Sequence, residues 1–72
     1  MSTFYYTISK LLKDNDYEER TFNHYYKGEK DIIVKIFMLH HNDGVNPEQT
    51  IEFIGREIED VVEELRKLKY IK

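Results

Sequence analysis

From Asn46 to Tyr70 the chain sets apolar residues at Ile51, Ile54, Ile58, Val61, Leu65 and Leu68. The steps alternate between three and four residues, the spacing of a coiled-coil-like seam. This pattern predicts one long amphipathic helix over residues 47–70. Asn46 offers an N-cap, Pro47 suits the first helical position, and Gln49 comes close to completing a capping box. Arg66, Lys67, Lys69 and Lys72 gather where cations complement the helix dipole. Such a helix extends about 36 Å, whereas a compact chain of this size is roughly 29 Å across. It must overhang, kink near Gly55, or pack against a second copy, and the last option predicts a homodimer.

The middle of the chain reads as a β-hairpin over residues 21–39. Thr21–Tyr26 and Ile32–Leu39 are rich in β-branched and aromatic residues, with a polar turn around Gly28. Pairing Phe22 with Ile36, His24 with Val34 and Tyr26 with Ile32 keeps the two faces distinct. Thr21, Asn23, Tyr25, Ile33, Lys35, Phe37 and Leu39 then share the second face. The strand Ile32–Leu39 is apolar on both sides, as in strands covered on both faces. Near the N-terminus, Phe4, Tyr5, Ile8, Leu11 and Leu12 match a helical face, while the composition of residues 3–9 favours a strand. The strand is preferred, with a turn at Lys13–Asp16; the other order is α-β-β-α. The expected fold class is α+β in a single domain, 1–72. A small antiparallel sheet, the hairpin 21–39 with an N-terminal third strand, packs on the long C-terminal helix.

The chemistry-bearing residues do not assemble into a known motif. His40 and His41 are adjacent and point to opposite faces of a strand, so they do not easily share one ion, and His24 shares the face of His40 but lies several residues away. Asp14-Asn15-Asp16 opens like a calcium loop, but Glu19 stands where that loop needs glycine. Gly28, Gly44 and Gly55 are isolated, so no phosphate loop forms, and no nucleophile elbow surrounds Ser2 or Ser9. No catalytic residue, metal ligand or cofactor is expected, and the chain is not expected to be an enzyme. There is no cysteine, hence no disulfide. The N-terminus lacks a secretion signal, and no apolar run reaches the roughly 20 residues that span a bilayer. A cytoplasmic protein with no membrane association is expected.

Six tyrosines and four phenylalanines, weighed against a mild net negative charge, favour contact with protein over nucleic acid. In the assumed register Tyr25, Phe37 and Leu39 lie on the face away from the helix. They are the candidate partner interface, with Ile58 and Leu65 of the helix seam. The expected function is a small non-enzymatic interaction module, of the sort found among regulatory or inhibitory proteins of phages and mobile elements.

A second reading rests on a local resemblance. Tyr5-Tyr6-Thr7-Ile8-Ser9-Lys10-Leu11-Leu12, then Arg20-Thr21-Phe22 and His24-Tyr25, resembles the helix-turn-helix opening of MerR-like regulators. Asn42–Glu48 is similar to a turn between later helices of that family. The resemblance implies a DNA-binding regulator whose Arg20, Thr21, Asn23 and His24 face the major groove. It also implies that Ile32–Leu39 is helical.

Overall fold

The computed structural model describes residues 3–72. Thr3–Asp14 form helix α1, not a third strand. The helical spacing outweighs the strand-like composition here, because Ile8 and Leu12, one turn apart, are both fully buried. Five short strands follow: β1 (Glu18–Thr21), β2 (His24–Lys27), β3 (Lys30–Lys35), β4 (Met38–Asn42) and β5 (Gln49–Glu52). They form one antiparallel meander in chain order. Helix α2 covers only Ile58–Lys67.

The long helix 47–70 is therefore corrected to a strand, a turn and a ten-residue helix. Ile51 belongs to β5 and is buried under the helices, whereas Ile54 lies in the following turn and is exposed. Gly55 adopts φ 76° and breaks the chain before α2 begins after Glu57. Asn46 does not cap a helix. Asp43 Oδ1 accepts the backbone N–H groups of Val45 and Asn46, closing a turn between β4 and β5. Those hydrogen bonds, Asn46 first, pull the Asp43 carboxyl down to about 2. The molecule measures 29 × 21 × 21 Å, and the short α2 fits within it without overhang.

The hairpin 21–39 is also redrawn. β2 and β3 pair His24 with Ile33 and Tyr25 with Ile32, one residue away from the expected register. The reason is the turn. Gly28 at φ 60° sits first in a two-residue loop with Glu29, which joins Lys27 directly to Lys30. The long apolar strand is itself split by a second tight turn at Ile36-Phe37, with Lys35 opposite Met38.

This register places Tyr25, Ile32, Val34, Leu39, His41 and Ile51 on one face, all buried. Ile8 and Leu12 of α1 and Val61 and Leu65 of α2 complete the core on that face. Among the described residues no element covers the opposite face, where His24, Ile33, His40 and Thr50 form one cross-strand row. The segment Arg20–Tyr25 is strand, turn and strand rather than a recognition helix, so the MerR-like arrangement is not formed.

The two helices run side by side in the same direction. Phe4 and Phe53 meet at one end, with ring centroids 4.0 Å apart. At the other end Asn15 Oδ1 accepts the Lys72 N–H at 2.9 Å. Each helix ends the same way. Tyr17 N–H reaches Leu12 O and Asp16 N–H reaches Lys13 O; Tyr70 N–H reaches Leu65 O and Lys69 N–H reaches Arg66 O. Both are Schellman closures, with Asp16 (φ 71°) and Lys69 (φ 65°) at the left-handed position usually held by glycine. The tyrosine after each closure turns into the core.

Candidate protein-contact site

Alternating strands bring the two tight turns Phe22-Asn23 and Ile36-Phe37 to the same end of the sheet. The first turn of α1 and the exit of β5 end there too, adding Tyr5, Tyr6, Phe53 and Ile54. This end is apolar and largely open to solvent. Phe22 is 88% exposed, Ile54 74%, Tyr6 71%, Ile36 67% and Phe37 61%. Single exposed apolar residues are ordinary, but five at one end of a small domain form a patch of the kind that marks contact surfaces.

The patch is shaped by two grooves. The larger, about 970 Å³, runs between α1 and the hairpin tips and has Tyr25 and Val34 at its floor. The smaller, about 310 Å³, lies between Phe4, Phe37, Phe53 and the start of α2. Tyr5 and Ile36 line both grooves, so the two form one continuous apolar relief.

The turns are held from inside the fold. Glu19 Oε2 accepts the Asn23 backbone N–H at 2.9 Å, fixing the first tip. Phe53 N–H donates to Phe37 O at 2.8 Å, fixing the second. Asn23 and Phe37 both adopt φ 61°. Asparagine visits this left-handed region readily, but a bulky aromatic does so at a cost of roughly 1–2 kcal/mol.

The expected interface residues separate. Tyr25, Leu39 and Leu65 are core residues, Ile58 is half-buried, and Phe37 lies in the exposed patch. Sequence reasoning missed Phe22, Ile36, Tyr6 and Ile54. A findable signal existed for two of them: Phe22 precedes Asn23, a turn former, and Ile36-Phe37 divides an apolar run too long for one short strand.

The buried polar centre is at the opposite end. Tyr17 Oη donates to Tyr70 O at 2.9 Å, and Tyr70 Oη lies 3.0 Å from His41 Nδ1. Burial pushes the Tyr70 phenol up to about 12 and raises Tyr17 further, while burial lowers His41 below the ordinary histidine value. A neutral His41 accepting from a protonated Tyr70 is the arrangement this favours. The other histidines, His24 and His40, lie across Ile33 from one another on the open face. His24 stacks on Tyr26, and His40 Nδ1 lies 2.8 Å from Thr50 Oγ1.

No family model, curated protein or solved structure matches this chain significantly. No described helix is long and apolar enough to cross a membrane.

Proposed function

We propose that this chain is a small interaction protein that binds another protein through its apolar end. Phe22, Ile36 and Phe37 act as anchors. The observation that carries this reading is Phe37: a phenylalanine, 61% exposed, in a left-handed turn position that asparagine or glycine fills more cheaply. The fold gains little from an exposed ring at that position, whereas a partner gains an aromatic anchor. The grooves are open, so they suit an extended or helical protein surface better than a small molecule, which needs enclosure. A domain of this size acts by occupying its partner's surface, the mode of a regulatory or inhibitory protein. The absence of cysteine supports action in the reducing cytoplasm.

The test is comparative capture from the native host. Wild type, a Phe22→Ala/Phe37→Asn double variant and a Lys10→Glu control are immobilised in parallel, with and without nuclease. The expected result is a protein retained by wild type and control, lost by the double variant and indifferent to nuclease. Equal retention by the double variant overturns the assignment of the surface. Loss on nuclease treatment overturns the assignment of the partner class.

A further inference from the structure

The two edges of the sheet are defended unequally. β1 carries Glu18, Glu19 and Arg20 in succession, and its pairing with β2 slips between Glu19 and Thr21. Charge and irregularity of this kind discourage a further strand from adding. β5 is less defended, with Glu52 as its one charged residue. Its register against β4 is regular over its whole length, and Gln49, Thr50 and Ile51 are uncharged. Phe53 N–H bonds to Phe37 O. By antiparallel alternation Ile51 and Gln49 also turn their backbone groups toward β4. Thr50 and Glu52 therefore turn theirs outward, and both residues are exposed. Of these outward groups, Glu52 O has a long contact with Arg56 Nη1 at 3.4 Å.

We propose that β5 is the seam of a two-fold homodimer in which it pairs antiparallel with β5 of a second copy. The occupant follows from self-complementarity. One register sets Thr50 of each copy opposite Glu52 of the other, using the outward N–H and C=O groups of both. It brings the two Ile51 residues together at the axis on the core face. It also keeps the two Glu52 carboxylates from facing each other directly. Antiparallel pairing further sets the exit of β5 beside the other copy's β4–β5 loop. Ile54 and Val45, 74% and 83% exposed, lie in those segments. The seam is separate from the hairpin-tip anchors, and the resulting sheet runs continuously through both copies.

The register makes a signed prediction. A charge at position 50 faces Glu52 twice in the dimer, once on each side of the axis. Thr50→Lys tightens the dimer and Thr50→Glu loosens it, each by about fivefold from two cross-strand pairs. Thr50→Pro removes an N–H that β4 does not use and abolishes the dimer. Sedimentation equilibrium from low micromolar to millimolar concentration measures wild type, these three variants and the hairpin-tip double variant, with circular dichroism confirming that each is folded. Wild type should approach twice the 8.8 kDa chain mass. Phe22→Ala/Phe37→Asn should leave that mass unchanged. A wild-type monomer throughout the range overturns the proposal. So does a dimer indifferent to both charges at position 50, or one lost with the hairpin-tip variant.

Discussion

Among the described residues, four other than glycine hold a left-handed backbone, and their side chains show why. Asn23 tolerates it. Asp16 and Lys69 occupy it because each helix must close before its tyrosine can enter the core. Phe37 occupies it while exposing its ring. Asp16→Gly and Lys69→Gly should each stabilise the chain by up to about 1 kcal/mol, because glycine removes the steric strain at a helix closure. Urea denaturation would show this as a higher midpoint with an unchanged slope. Phe37→Asn should likewise stabilise by about 1 kcal/mol, yet weaken partner binding. If Phe37→Asn destabilises instead, the ring belongs to the core, and its conformation is no sign of function. These residues were hard to recognise from sequence. A lysine or a phenylalanine carries no turn signature of its own, and only the closure around it reveals the position.

At the scale of elements, the C-terminal third shows how a period can mislead. Ile58, Val61, Leu65 and Leu68 follow a helical spacing because they line or cap α2. Ile51 and Ile54 extend the same count by coincidence, one from a strand and one from a turn. The β-branched and aromatic run Thr50-Ile51-Glu52-Phe53-Ile54, ending at Gly55, carried the competing signal. A hairpin turning at Gly28 was legible from composition, though its strands run over His24–Lys27 and Lys30–Lys35 rather than Thr21–Tyr26 and Ile32–Leu39. Its register was not, because a two-residue turn at Gly28-Glu29 moves every pair by one and exchanges the faces. That shift put Tyr25 into the core rather than on a contact face, and the second two-residue turn, at Ile36-Phe37, did the same for Leu39 by setting it opposite Val34. The tyrosine pair that ends the two helices has a testable pH signature. Burial lowers His41 in the folded chain, so the unfolded chain takes up a proton first as pH falls. Stability should be fully present above about pH 6.5, the unfolded value, and decline as pH falls below it. The decline should end once pH has passed the lower folded value. His41→Gln, which keeps an acceptor for Tyr70, should flatten that decline in urea melts. Tyr17→Phe removes the donor to Tyr70 O and should cost about 1–2 kcal/mol across the whole pH range.

At the scale of the whole molecule, a single core lies between one sheet face and two parallel helices, and the last residues of the chain close it. Tyr70 and Ile71 are 3% and 7% exposed, with Tyr17, Asn15 and Arg66 holding the backbone around them. A chain of this length has roughly 4–11 kcal/mol of total stability. Losing two buried side chains of this size removes several kcal/mol of that. A chain ending at Leu68 should therefore show no cooperative thermal transition in calorimetry, and a retained sharp transition would show that α1, the sheet and α2 suffice. Because both helices run the same way, the described chain starts beside the hairpin tips and finishes at the far end, next to Asn15. Attachment is thus not symmetrical. Any fluorophore, affinity handle or fused domain joined before Thr3 emerges next to Tyr5 and Tyr6 and competes for the space a partner would take. One joined after Lys72 leaves from the opposite pole, provided its linker spares the Asn15 and Arg66 contacts. Two fusions of identical composition, differing only in which terminus carries the cargo, should then differ in what they can hold.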